Sequence, residues 1–136
     1  MDSQKTEYTN TDLDLRSSST IEMLTAELEQ SCHVMFCTHG DDGRWYATIE
    51  SVLFEERDAA TDIASMLAAL EKLTDAAKSE FDRCDRRDFN IGIECWDTWS
   101  YRHALPNKVL QAIAAAGCTL SITLYPMRNP DGTPKV

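Results

Sequence analysis

Residues 89–96 read F-N-I-G-I-E-C-W, residues 97–105 D-T-W-S-Y-R-H-A-L, residues 106–117 P-N-K-V-L-Q-A-I-A-A-A-G, and residues 118–126 C-T-L-S-I-T-L-Y-P. In the first segment Phe89, Ile91, Ile93 and Cys95 fall on one side of an extended chain and Asn90, Gly92, Glu94 and Trp96 on the other. In the last, Leu120, Ile122 and Leu124 alternate with Thr119, Ser121, Thr123 and Tyr125. A period of two is that of a strand with one buried face, so both segments read as strands with their aliphatic side chains inward. Between them Val109, Leu110, Ile113 and Ala114 form a helical stripe. Pro106 suits the first turn of that helix, where its missing N–H costs nothing, and Gly117 suits its C-terminal cap. The unit is strand, aromatic loop, helix, strand.

The upstream sequence supplies partners for it. D-L-D-L-R at 12–16 alternates and makes a first strand with Leu13 and Leu15 on one face. Ser19 followed by Glu22 has capping-box spacing, and Ile21, Leu24 and Leu28 line a helix running to about Gln30. From Cys32 to Thr38 the period is two again, with Val34 and Phe36 on one side and His33, Met35 and Cys37 on the other. H-G-D-D-G-R at 39–44 is a turn, and the run from Arg44 to Phe54 is a return strand, so 32–54 is expected to be a β-hairpin. E-E-R-D at 55–58 opens a helix carrying Ile63, Met66, Leu67, Leu70 and Leu73. Thr74 and Asp75 break it and cap a second, with Ala77, Phe81 and Cys84 inward.

The order is therefore β-α-β-β-α-α-β-α-β. Alternating strands indicate a sheet covered on one face. The expectation is an α+β fold: a two-layer sandwich with a mainly antiparallel sheet of about five strands and helices on one face. Residues 1–10 are expected to be a disordered tail, 11–126 a single α+β domain and 127–136 a flexible C-terminal tail.

Composition bounds the chemistry. The chain has 136 residues, enough for one core. No apolar run reaches the roughly 20 residues that span a bilayer, and the polar N-terminus is no signal peptide, so a cytoplasmic location is expected. Five cysteines, an odd and scattered set, argue against a disulfide framework. Thirteen basic against 23 acidic side chains give a net charge of −10, which disfavours nucleic acid and favours a partner with a basic surface.

Several clusters compete for a functional role. Cys32, His33, Cys37 and His39 are the sole metal-like group, but neighbours at i and i+2 on a strand lie about 7 Å apart, too far for one tetrahedral ion, so no metal is expected. A Cys–His nucleophile, Cys95 or Cys37 with His103, lacks an activating turn or helix N-terminus. Glu50 and Glu94, on the outward faces of nearby strands with Tyr46, Trp96 and Tyr125 around them, are paired-carboxylate candidates. Arg83, Arg86 and Arg87 are expected to pair with Asp82, Asp85 and Asp88. No phosphate-binding glycine motif occurs, and no cofactor is expected.

The loop W-D-T-W-S-Y-R-H is the most distinctive feature outside the core. Trp96, Trp99, Tyr101 and Arg102 are residue types that dominate binding hot spots, with Asp97, Glu94, Glu50 and Tyr46 supplying charge and further contact.

F-N-I-G-I-E, the helix with L-x-x-I-A-x-x-G and the closing L-S-I-T-L-Y-P, together with the acidic helix D-I-A-S-M-L-A-A-L-E-K-L, resemble an uncharacterised family of small acidic bacterial α+β domains. The resemblance covers about residues 58–126. Such domains are similar to immunity proteins of polymorphic toxin systems. The resemblance implies a non-enzymatic protein that binds a toxin stoichiometrically, as a monomer or homodimer, and carries over no catalytic residue. The alternatives are a small-molecule-binding or regulatory domain using the open sheet face and, third, a hydrolase-like enzyme with an acidic or Cys–His site.

Overall fold

A computed structural model describes residues 5–52 and 58–134. Nine elements follow in the expected order: β1 (Glu7–Ser17), α1 (Glu22–Leu28), β2 (Cys32–His39), β3 (Trp45–Ser51), α2 (Ala59–Glu71), α3 (Asp75–Asp82), β4 (Arg86–Glu94), α4 (Asn107–Ala115) and β5 (Thr119–Tyr125). Leu53 and Phe54, expected at the end of the hairpin, and the helix opening at 55–57 lie outside the described residues. The strands form one sheet in the order β2-β3-β1-β4-β5. Its pairings are antiparallel except β4–β5, which is parallel because the loop and α4 carry the chain back across the helical layer. The fold is α+β, a two-layer arrangement of sheet and helices.

One sheet face carries the core. Leu13, Leu15, Ala47, Ile49, Phe89, Ile91 and Ile93 point into the helices, where they meet Leu24, Leu28, Ile63, Met66 and Phe81. Each large aliphatic or aromatic side chain withdrawn from water in this way stabilises the fold by about 1.5–3 kcal/mol.

The helix ends are satisfied largely as the sequence implies. Asp58 caps α2 by accepting from Thr61 N–H at 2.7 Å, and Thr74 caps α3 by accepting from Ala77 N–H at 3.3 Å. Gly117 takes φ +74° after α4, a conformation that strains residues with a Cβ. At α1 the expected Ser19 cap is replaced: Thr20 Oγ1 accepts from Glu22 N–H at 3.2 Å. Two short helices also cap each other. Glu80 of α3, buried, accepts from Leu24 N–H in the first turn of α1 at 2.8 Å, and Glu27 of α1 accepts from Thr74 N–H and Oγ1 at 2.9 and 2.6 Å. The Leu24 amide, which would otherwise be buried unpaired, and the exposed amide of Thr74 are thus both satisfied across the α1–α3 contact.

Three expectations need correction. First, β1 begins at Glu7, so residues 7–10 are strand and no tail. A register shift between Tyr8 and Asn10 puts Tyr8 opposite Ile93 and Thr11 opposite Ile91, both on the core face. The extra residue reverses parity, which is why this stretch shows no period. Second, a bulge between Val34 and Phe36 reverses parity in β2. Val34 and Cys37 pack against the core, while Phe36, opposite Thr48, lies outside it, 46% exposed at the sheet edge near Thr25 and Ala26 of α1. The same reversal puts His33, opposite Glu50, on the face away from Cys37 and His39, and His39 stacks on Trp45 at 4.5 Å, so the Cys/His cluster is dispersed. Third, Leu110, Leu120, Ile122 and Leu124, expected in the core, are 43%, 36%, 63% and 63% exposed. The three on β5 do lie on the helical side, beside Phe89, Ile91 and Ile93, but the helical layer stops short of them.

The arginines also pair differently. Asp85 binds Arg16 at 3.0 Å, Arg83 donates to Ser79 Oγ at 3.0 Å, and Asp88 accepts from Thr119 and Ser121. Arg87 alone approaches its expected neighbour, Asp82, at 4.0 Å, with its guanidinium over the Phe81 ring.

Candidate functional site

The aromatic loop leaves the end of β4 and is fixed at both ends. At its start, Cys95 N–H donates to Tyr125 O at 2.8 Å, continuing the β4–β5 ladder by one bond. Thr6 then clamps Trp96: its hydroxyl accepts from Trp96 N–H at 2.8 Å and donates to Trp96 O at 3.1 Å. Trp96 Nε1 donates to Glu94 Oε1 at 3.0 Å, so the indole is turned back along the strand. At the far end His103 stacks on Tyr8 at 5.0 Å with ring planes 16° apart, and its Nε2 accepts from Ala59 N–H at 3.2 Å. Accepting at Nε2 places the proton of the neutral ring on Nδ1, which lies 3.1 Å from Tyr101 Oη. Tyr8 in turn hydrogen-bonds the buried Asp62 and, at 2.7 Å, Thr11 Oγ1. The loop end is therefore anchored through rings into the helical layer.

Between these anchors Trp99 stands fully in solvent, 101% exposed, flanked by exposed Asp97 and Arg102. Tyr101 is 39% exposed, and partial burial raises its hydroxyl pKa. The structure therefore divides the expected anchors. Trp96 and Tyr101 are held by the domain, while Trp99 and Arg102 are presented outward.

Glu94 belongs to this group, with Tyr125 opposite it in register. The Tyr125 ring lies over Gly92, where an added Cβ would come within 3.2 Å of the ring and 2.9 Å of Asn10 Oδ1. Glycine in F-N-I-G-I-E is thus the bare spot that lets Asn10 and Tyr125 close over β4.

Glu50 and Tyr46 do not join it. Glu50 pairs with Asp12 and Glu94 with Glu7, so the two acids are separated by β1 and by about five residues along it, roughly 17 Å of strand. Glu50 instead accepts from Asn10 Nδ2 at 2.6 Å. Tyr46, opposite Arg16, lies farther still and hydrogen-bonds Asp42 of its own hairpin. The paired-carboxylate arrangement is not assembled.

Nor is a Cys–His nucleophile. Both His103 nitrogens are engaged, Cys95 Sγ donates to Ile93 O at 3.8 Å, and Cys37 lies on β2 at the other edge of the sheet. Burial pushes the thiols of Cys84 and Cys118 up to about 11, and raises that of Cys32, so these three are poor nucleophiles. Among the described residues no group of three or more His, Cys, Asp or Glu is placed to hold a metal ion, and no helix is long and apolar enough to cross a membrane.

Beneath the loop is a cavity of about 400 Å³, lined by Ile91, Ile93, Ile122 and Leu124 with Thr6, Cys95, Tyr101 and His103 at its polar side. The sequence gives little warning of it: Thr6 and Tyr8 stand in a stretch without period, and Ile122 and Leu124 look like ordinary core. The one signal was the aromatic content of the loop above. Comparison with protein-family models, with curated proteins and with solved structures returned no match.

Proposed function

We propose that this chain is a non-enzymatic protein-binding module of the immunity type, which neutralises a bacterial toxin in the cytoplasm by stoichiometric binding to its basic surface. The observation that carries this reading is Trp99, fully exposed on a loop pinned at both ends. An exposed indole forgoes burial worth about 2–3 kcal/mol, which a partner recovers. Because Thr6 and His103 already fix the loop, little further ordering cost falls on binding. Asp97 beside it, Glu94 at its base and the net charge of −10 favour a cationic partner.

The product of a toxin gene adjacent to this one, titrated calorimetrically against the chain, is the test. One-to-one binding that weakens as salt rises is expected. Trp99→Ala should weaken it at least 30-fold while leaving the melting temperature unchanged, since the indole touches nothing in the free protein. Absence of such a neighbour, or binding indifferent to Trp99, overturns the proposal.

The cavity favours a second reading, a small apolar ligand held under the loop, since 400 Å³ lies within the range of ligand sites. Aliphatic alcohols and acids that raise the melting temperature of wild type, but not of Ile93→Trp, would favour it over the first.

A further inference from the structure

An exposed sheet edge is a row of unsatisfied amides and carbonyls, which folded proteins usually blunt with a bulge, a charge, a proline or a cover. The two edges here differ. On β2 the chain bulges at Met35, and Glu29 Oε2 accepts from Val34 N–H at 2.9 Å, occupying an edge donor with a carboxylate. On β5, T-L-S-I-T-L-Y has no charge and no proline, and its register with β4 runs from Thr119 to Tyr125 without a break. Tyr125 O accepts from Cys95 N–H, so the carbonyl of Tyr125 faces β4. By alternation the N–H and C=O groups of Leu120, Ile122 and Leu124 face away from the sheet. Their side chains are the ones left 36%, 63% and 63% exposed.

We propose that β5 pairs antiparallel with β5 of a second copy of this chain, about a two-fold axis at Ile122, joining two sheets into one. In that register Ile122 meets Ile122, Leu120 meets Leu124, and Ser121 meets Thr123. Each outward-facing residue exchanges both backbone bonds with its opposite, and aliphatic side chains adjoin aliphatic ones. The strand's own pattern selects this occupant: residues 120–124 read L-S-I-T-L, the same classes of side chain in both directions about Ile122, so a two-fold axis there sets like against like. β5 carries no charge, so two chains of −10 meet along a strip that adds no repulsion of its own. The pairing is isologous and closes on itself, so the assembly stops at two.

Sedimentation equilibrium on the full chain tests this, from about 1 µM to 0.5 mM, in 0.05 and 0.5 M NaCl. A dimer that tightens as salt rises is expected, because screening removes repulsion between like-charged subunits; toxin binding should show the opposite salt trend, so the two proposals fail independently. Ile122→Lys sets two ammonium groups at the axis and should leave a folded monomer at every concentration. In wild type above the dissociation constant, amide exchange at Leu120, Ile122 and Leu124 should slow at least tenfold, which decides the matter should the variant not fold. A wild-type monomer at 0.5 mM in high salt, a dimer unaffected by Ile122→Lys, or open-ended polymers each overturn the proposal.

Discussion

The two edges of this sheet are built from similar material and finished differently. Both β2 and β5 alternate, both carry aliphatic residues towards the helices, and both end the sheet. On β2 the helical layer reaches the edge: α1 packs against it, Cys32 is buried and Val34 partly so. On β5 only Val109 and Ile113 of α4 are buried, and Leu120, Ile122 and Leu124 are left beyond the cover. The difference shows that alternation fixes which way a side chain points, while burial depends on whether another layer extends above it.

The largest expected effect separates centre from edge. Ile49 on β3 is fully buried and Ile122 on β5 is not, although both face the helices. Ile49→Ala should cost about 3–4 kcal/mol through lost transfer energy and the cavity left behind. Ile122→Ala, measured by urea unfolding at about 1 µM, should cost under about 1 kcal/mol. Equal costs would mean that β5 is covered in solution by the chain itself. A gap that narrows with protein concentration would instead reflect burial between copies.

The contrast explains what could be read from the sequence. The nine elements and their order are legible because period, caps and turns are local: Thr74 and Gly117 act where local chemistry alone places them, whereas Asp58, the cap of α2, stands in a run that reads as the opening of the helix itself. The bulges at Thr9 and Met35 are not, since one inserted residue reverses parity without leaving a mark in composition. Tyr8 therefore reads as tail in the sequence, although it anchors the loop through His103. Glu80 sits inside the apolar stripe of α3 with Ala77, Phe81 and Cys84, and only the three-dimensional approach of α1 reveals the amide it satisfies. In the candidate site, the loop was legible from its aromatics. Its separation from Glu50 and Tyr46 was not, because strand order places β1 between them.

A smaller effect tests the finish of the β2 edge. Glu29→Ala removes the acceptor from Val34 N–H and should cost about 1 kcal/mol or less, since the amide can turn to water. The sharper measurement is hydrogen exchange at Val34, which should accelerate while the amides of Ile49 and Ile91 keep their protection. If Val34 exchange is unchanged, the bulge alone guards this edge and the carboxylate is incidental.

The smallest expected effect concerns the open face between the edges. Asp14, on the central strand, stands opposite Asp88 in register and accepts from Thr48 Oγ1 at 2.9 Å. Burial, more than the bond from Thr48 offsets, holds its carboxyl above the usual 3.8, and the charge of Asp88 pushes the same way. The folded chain therefore binds this proton more tightly than the unfolded chain. Stability from this group is present below pH 3.8 and is lost as pH rises through the raised value, so at pH 7 the ionised carboxylate is a cost. Asp14→Asn keeps an acceptor for Thr48 and should stabilise the protein at pH 7 by about 0.5 kcal/mol, a small figure because solvent screens a half-buried group. The gain should shrink towards zero near pH 3.8, read from urea midpoints across that range. A variant less stable than wild type at pH 7 would show that the Thr48 bond outweighs the crowding.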